Sequence, residues 1–325
     1  MAKHIKLVTL VAVLIAALFI ILTIISRNYS GKGSTIEMAD FPNKILISTD
    51  NAATAKIFNK FVTEPDDSLA LSILLAAHKE KKVEIVGITS SFGNTAGEKS
   101  FEITKKQVEL SGLDVPVVKG AVKKEQMDSE AVEFIANKLR NSDEKLTLVA
   151  LGPVTDYAAV FKKHPELKNK VGNFFLVRSG PYLIKKHWYL FSFNALLDVK
   201  SAKFMYEIGA NQFLIGDEVF QVGLDKNFVG ELRTINHPML RYITRDLAMW
   251  NLQNKFLPNK GYFSRKGNMC PWDLVWAMYL IEPNLYKTIK EHRGYVLQLK
   301  DPKVFLEKTF EWMKKWEDSS KISSE

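Results

Sequence analysis

Three acids carry the first chemical signal in this chain. The apolar run Lys44-Ile45-Leu46-Ile47 leads through Ser48-Thr49 to Asp50, and after a detour Glu64-Pro65-Asp66-Asp67 opens the apolar helical pattern Ser68-Leu69-Ala70-Leu71. Acids at the carboxyl end of a strand and at the start of the next helix can converge in the crevice of an open α/β sheet. Converged there, they could hold a hard cation through their carboxylate oxygens. Asp66 and Asp67 would also be favoured by the positive end of the helix dipole. A competing reading of the same residues makes Asp50 a turn residue and Asp66 a helix N-cap.

Such acids act only if a sheet and its helices hold them, and the chain supplies both patterns. Lys44–Ile47 is strand-like and Ser68–His78 has helical periodicity. Val83–Thr89 reads as the next strand and Ala96–Leu110 as a helix ending at Gly112. Val115–Val118 is a short strand and Glu130–Arg140 a helix. Leu146–Leu151 is a strand running into Gly152-Pro153, with a helix from about Thr155. Phe174–Val177 repeats the pattern, followed by Val199–Ile208 and Gln212–Ile215. Pro238–Leu257 and the stretch around Trp272–Leu280 read as additional helices, and Gly294–Lys300 with Val304–Lys315 as a closing strand and helix. Strands alternating with helices predict an α/β fold: a mostly parallel open sheet with helices on both faces.

The chain has 325 residues, 46% hydrophobic and 25% charged, enough to bury one sizeable core. No low-complexity linker divides it after residue 43. The single Cys270 excludes an intramolecular disulfide and a cysteine-based zinc cluster. Within Gly267-Asn268-Met269-Cys270-Pro271 it reads as incidental rather than as a nucleophile. The net charge of +9 is spread along the chain, with only short clusters such as Lys79-Glu80-Lys81-Lys82 and Lys185-Lys186. No nucleic-acid motif accompanies it, so the excess reads as a basic surface that could face anionic lipid.

Leu7 to Ile25 is uncharged and apolar except for Thr9 and Thr23, and Lys3 and Lys6 precede it. That is about the length of a membrane-spanning helix. No Ala-x-Ala cleavage site and no lipidation cysteine follow, so it reads as an uncleaved single-pass anchor. The polar stretch Ser30-Gly31-Lys32-Gly33-Ser34 then reads as a short tether. Counting the charges before the anchor places the amino end inside and the domain outside the cytoplasm. The expected division is 1–26 stub and anchor, 27–42 linker, 43–318 globular domain and 319–325 polar tail.

In this order the segments resemble the inosine–uridine-type nucleoside hydrolases. That family opens with a strand ending in Asp-x-Asp-x-Gly-x-Asp-Asp before a helix. Ser48-Thr49-Asp50 and Asp66-Asp67-Ser68-Leu69-Ala70-Leu71 take those places. Its Thr-Thr…Gly-Asn turn is matched by Thr89-Ser90-Ser91-Phe92-Gly93-Asn94, and its Leu-x-x-Gly-Pro-Leu-Thr-Asn segment by Leu148 through Asp156. Ser192-Phe193-Asn194 through Asp198-Val199-Lys200-Ser201-Ala202 stands for its Glu-Phe-Asn-x-x-x-Asp-Pro-Glu-Ala-Ala. Trp272-Asp273-Leu274-Val275-Trp276-Ala277 stands for its His-Asp-Pro-Leu-Ala. The resemblance covers roughly residues 43 to 318.

It implies hydrolysis of the N-glycosidic bond of a ribonucleoside or related N-riboside, through an oxocarbenium-like sugar, to free base and ribose. It also implies Ca2+ held by the side chains of Asp50, Asp67 and Asp273 and by the backbone carbonyl of Leu151. Asp50 would further be the general base toward the water on that ion. Asp66, Asn94 and Asn194 would hydrogen-bond the sugar hydroxyls.

The departures cluster at the same site. Ser48 replaces the first acid of the motif, the motif glycine is missing, and Asn51–Pro65 is longer than the family spacing. That insertion could be a flap over the pocket or disordered. Ser192 stands where the family has a sugar-gripping Glu, and Lys186 where an Asn would contact ribose. Arg178 replaces a Met beside the sugar, and Trp272 replaces a His credited with protonating the purine. Lys186 and Arg178 motivate the expectation that the pocket accepts an anionic substrate. His187 could substitute as an acid but reads more simply as a histidine with no catalytic task. Trp272 could stack on a base or plug the site. Trp276, Trp312 and Trp316 read as packing residues. The expected partners are a small nucleoside-like substrate and the lipid bilayer through Leu7–Ile25, with no nucleic acid and a homo-oligomer left open. The competing reading, of a different class, is a catalytically weak or inactive relative that binds a ligand or a partner at the membrane.

Overall fold

Aliphatic runs without strict polar alternation suit strands covered on both faces, and the computed structural model shows them so used. It describes residues 35–36, 43–57, 61–176, 192–208, 211–215, 222–254, 264–265, 268–291 and 294–317. The strands of the first half are β1 (Thr35–Ile36), β2 (Lys44–Thr49), β3 (Lys56–Ile57), β4 (Phe61–Val62), β5 (Glu84–Ser90), β6 (Val117–Lys119) and β7 (Leu146–Ala150). Those of the second are β8 (Val171–Leu176), β9 (Asn211–Ile215), β10 (Ser264–Arg265), β11 (Asn268–Met269), β12 (Tyr286–Glu291) and β13 (Gly294–Leu299). The helices begin with α1 (Asp66–Lys79), α2 (Gly97–Ser111), α3 (Glu130–Arg140), α4 (Thr155–Lys163) and α5 (Phe193–Leu197). They continue with α6 (Val199–Glu207), α7 (Lys226–Thr234), α8 (Pro238–Asn254), α9 (Trp272–Ile281) and α10 (Pro302–Lys314).

The main sheet has nine strands in the order β1-β12-β13-β9-β8-β7-β2-β5-β6. From β13 to β6 every neighbouring pair is parallel. β12 and β1 add an antiparallel edge. The chain leaves β2 toward β5 and β6, then returns to the other side of β2 with β7. The strand order therefore reverses between β2 and β7. Such a reversal opens a crevice beyond the carboxyl ends of the two strands, where open α/β sheets bind ligands. Asp50 follows β2, and Leu151 follows β7.

The strand period of two distributes the apolar residues between two cores. Ile45 and Ile47 of β2, Val149 of β7 and Phe175 of β8 enter the larger hydrophobic cluster, with Leu240 of α8, Trp276 of α9 and Phe305 of α10. Leu46, Leu148, Ala150, Phe174 and Leu176 enter the other, under α3, α4 and α6. α1 is buried from Asp66 through Ala77, as an apolar helix lying between the sheet and α9 must be. Tyr157 of α4 donates its phenol to the Leu46 carbonyl at 2.9 Å and lies 3.2 Å from that of Val149, tying β2 to β7 just below the crevice.

Local signals ended elements where expected. Gly112 stops α2 with φ of 71°, a conformation that costs glycine nothing. Ser129 caps α3 by accepting from the Val132 N–H at 3.2 Å. The helix N-cap reading of Asp66 is corrected: Asp66 is the first residue of α1, the cap position is Pro65, and no side chain caps the helix. The Asp66 carboxylate is thereby left for other work. Residues 51–65 form ordered structure wherever they are described, including the antiparallel hairpin β3–β4. Among the described residues no helix is long and apolar enough to cross a membrane. Leu7–Ile25 lies outside the described residues.

Candidate active site

Asp50 sits at the end of β2 in a cradle that only glycines allow. A Cβ on Gly93 would overlap its carboxylate, and one on Gly152 would lie 2.8 Å from both its backbone nitrogen and its Oδ1. These two glycines come from the turns after β5 and β7, so three neighbouring strands close around one carboxylate. The Asn94 N–H donates to Asp50 Oδ2 at 2.6 Å. Oδ1 is shut from solvent and has no hydrogen-bond partner.

Two helix starts bring the remaining acids to it. Asp66 and Asp67 open α1, and Asp273 lies in the first turn of α9, which packs along α1. One carboxylate oxygen from each of Asp66, Asp67 and Asp273 lies within 4.8 Å of the others, and all three residues are buried. The Thr49 hydroxyl donates to Asp67 Oδ1. Asp66 Oδ1, Asp67 Oδ2 and Asp273 Oδ1 have no partner.

Burial raises all these carboxyls. Asp50 is held well above the usual range by burial first and by the Asp67 charge second, with the Asn94 N–H pulling against both. Asp66 is pushed up to about 8 by burial and then by Asp67. Asp67 is raised by burial against the Thr49 hydroxyl. Asp273 is raised well above the usual range by burial and then by Asp66, Asp67 and Asp50.

A fifth acid belongs to this group, and it is the one the sequence reading missed. Glu64 has its Oε1 shut from solvent without a partner. Burial and then the charges of Asp66, Asp67 and Asp50 raise its carboxyl well above the usual range. The available signal was its place two residues before Asp66, where the family motif has glycine.

Other expected site residues divide clearly. The Leu151 carbonyl faces Asn194, whose amide nitrogen donates to it at 2.5 Å, while Asn194 Oδ1 has no partner. A carbonyl oxygen has a second lone pair, so this bond does not remove Leu151 as a ligand. Asn94 reaches the site through its backbone. Trp272, only 5% exposed, belongs to the larger hydrophobic cluster, which favours its plugging role. Cys270 is buried in the same cluster, as an incidental residue would be. Ser48 and Ser192 are both buried. Trp276 and Trp316 are fully buried, and Trp312 is packed against the core with its indole N–H on Glu282. Lys186, Arg178 and His187 lie outside the described residues.

The residues present fit a hard metal ion. Four buried carboxylates each keep one oxygen unbonded, and no cationic side chain among the described residues is paired with them. Holding such a group ionised in the interior costs several kcal/mol per charge unless something positive joins it. An all-oxygen donor set of carboxylates and a carbonyl suits Ca2+ or Mg2+ rather than a thiophilic metal.

An open, mostly parallel α/β sheet with a buried acidic cluster at its switch point is a ligand-binding site of the α/β class. Comparison with known proteins makes this specific. Residues 63–320 match the family model "Inosine-uridine preferring nucleoside hydrolase", and the chain belongs to that family. The match begins after the inserted hairpin, so it includes Asp66, Asp67, Asn94, Leu151, Asn194 and Asp273 but not Asp50, which the fold places. The pyrimidine-specific ribonucleoside hydrolase of Salmonella typhimurium strain LT2 is 25% identical over 72% of this chain and 81% of its own length. A purine-preferring ribonucleoside hydrolase from Gardnerella vaginalis superimposes with a TM-score of 0.67 at 20% identity, covering 86% of this chain and all 100% of that one. A plant nucleoside hydrolase gives 0.66 at 15% identity over 84% of this chain and 99% of its own. The chain is therefore an enzyme, a hydrolase of ribonucleosides.

Proposed function

We propose that the chain releases free base and ribose from ribonucleosides by a calcium-dependent hydrolysis, with Asp50, Asp67, Asp273 and the Leu151 carbonyl as ligands. The supporting observation is the set of unbonded carboxylate oxygens on Asp50, Asp66, Asp67 and Asp273 in one buried crevice. When bound, the cation supplies Lewis-acid polarisation of a water and of sugar hydroxyls. Asp50 takes the proton of the attacking water on Oδ1, its Oδ2 being fixed by the Asn94 N–H, while the departing base leaves with the C–N bonding pair and takes its proton from solvent. Asp66, the side chain of Asn94 and Asn194 Oδ1 grip the ribose. Positive charge developing on the sugar is met by the surrounding carboxylates, Glu64 among them.

Two observations favour pyrimidine nucleosides. The relative from Salmonella typhimurium is named pyrimidine-specific, and Trp272 stands where the family has a histidine credited with protonating purines. The described wall of the site is acidic, which supports a neutral substrate. We further propose that Leu7–Ile25 tethers the enzyme to a membrane, with the catalytic domain outside the cytoplasm.

Ribose release tests the reading. The full chain in detergent, with calcium, is given uridine, cytidine and inosine. Release that chelator stops and calcium restores, faster with the pyrimidines, is expected. No release from any ribonucleoside by the folded, calcium-supplied chain contradicts it.

A further inference from the structure

The insertion raises a geometric problem. A short motif loop would hold the strand-end acid and the helix-start acids at a fixed distance. Here residues 51–65 separate Asp50 from Asp66, so their register has to be set by other bonds. The structure contains such bonds immediately behind the acids. The Asn51 amide donates to Gln107 Oε1 at 2.8 Å, and Asn51 Oδ1 accepts from the Ser68 hydroxyl at 2.6 Å. The Ala53 N–H also donates to Asn51 Oδ1, at 3.2 Å. The Gln107 amide donates to the Ser68 carbonyl at 2.7 Å and lies 3.2 Å from Ser72 Oγ, whose hydroxyl donates to the same carbonyl at 2.8 Å.

Asn51, Ser68, Ser72 and Gln107 are all buried. Asn51 is the residue after Asp50, Ser68 is the residue after Asp67, and Gln107 comes from α2, an element that supplies no site residue. Every member has its partners, which is the condition under which a buried polar network rigidifies rather than weakens a core.

We propose that Gln107 is a positioning residue: it clamps Asn51 to Ser68 and so holds Asp50 and Asp67 at the spacing one cation requires. This rests on the calcium-site reading above. Interactions behind metal ligands change metal affinity by about 10- to 100-fold when removed. Gln107→Met keeps the side chain's length and removes its hydrogen bonds. Ser68→Ala removes one hydroxyl and is the second variant should Gln107→Met fail to fold. Val132→Ala, a truncation in the hydrophobic cluster under α3, controls for simple loss of stability.

The measurement is calcium affinity by calorimetry on the full chain in detergent, together with Tm in chelator and in saturating calcium. The expected result is a calcium Kd raised about 10- to 100-fold in Gln107→Met and about tenfold in Ser68→Ala. Val132→Ala is expected to stay within twofold of the parent, although its Tm falls in both conditions. Calcium affinity within twofold of the parent in both network variants overturns the clamp and leaves the calcium site standing. Equal weakening by Val132→Ala overturns it too. A folded parent that binds no calcium removes both readings.

Discussion

At the scale of single residues the site is a balance between burial and charge. Burial raises five carboxyls above the usual carboxylate range, and a bound cation would pull them back toward the ionised form. A carboxyl whose folded pKa lies above its unfolded value of about 4 binds protons more tightly when folded, so stability falls as pH rises between the two values. For Asp66 that window runs from about 4 up to about 8. In chelator the parent should lose Tm between pH 6 and pH 8, and Asp66→Asn should lose less; saturating calcium should abolish the loss, because a cation favours the ionised form. A chelated parent whose Tm rises across that range contradicts the electrostatic account. Asp50→Asn should lower kcat about 10²- to 10⁴-fold, the usual cost of removing a general base. Glu64→Gln tests the acid from the hairpin: with one charge fewer beside the sugar, kcat should fall while calcium still binds. Asp50, Asp66 and Asp67 could be singled out in the sequence because strand-end and helix-start acids can meet in the crevice of an open sheet, although turn and capping roles account for such acids equally well until the fold is seen. Glu64 could not be, because a lone acid before a proline looks like any loop residue until the fold turns it inward.

At the scale of elements, the strands and helices that carry the acids follow from local pattern: aliphatic runs of four to seven residues, helical periodicity, and Gly112 and Ser129 as stop and start. The hairpin β3–β4 does not, because residues 51–65 show neither period and their partners are distant. Thr54 donates its N–H to Asp246 of α8, and its hydroxyl lies 3.2 Å from that of Tyr242. Gln253 of α8 uses its amide as a third strand would, accepting from the Val62 N–H at 2.8 Å and donating to the Val62 carbonyl at 3.1 Å. β12 has no reading in the sequence for a related reason: Lys287, Thr288 and Lys290 interrupt any apolar run, and its pairing with β13 makes it a strand. Gln253→Ala leaves both Val62 backbone groups without this partner. It should cost about 1–3 kcal/mol and lower Tm by a few degrees in melting curves with and without calcium alike. An unchanged Tm would mean that the Gln253 bonds add nothing and that the segment is held by its other contacts, the Thr54 bonds to α8 and the packing of Ala52, Ala53 and Ala55 on Ile103 and Tyr242.

For the whole molecule, the reversal of strand order between β2 and β7 opens the crevice where Asp50 and Leu151 lie; the sequence order of the elements implied the open α/β sheet but not that reversal. What the order could not give is the nine-strand width, since β1 and β12 join only as an antiparallel edge. The proposed anchor belongs to this scale as well. The full chain should sediment with membranes, resist high salt and be released by detergent. A chain starting at Thr35 should stay in the supernatant with kcat/KM within about threefold of the parent, because the proposed site residues all lie from Asp50 onward. A soluble full chain contradicts the tether without touching the chemistry. The central claim is that the buried acids are a calcium site, and calorimetric titration of calcium into the chelator-stripped full chain tests it most directly, beside Asp67→Ala. The account predicts one ion per chain in the parent and no binding in the variant. Equal binding in both, or none in a folded parent, contradicts it.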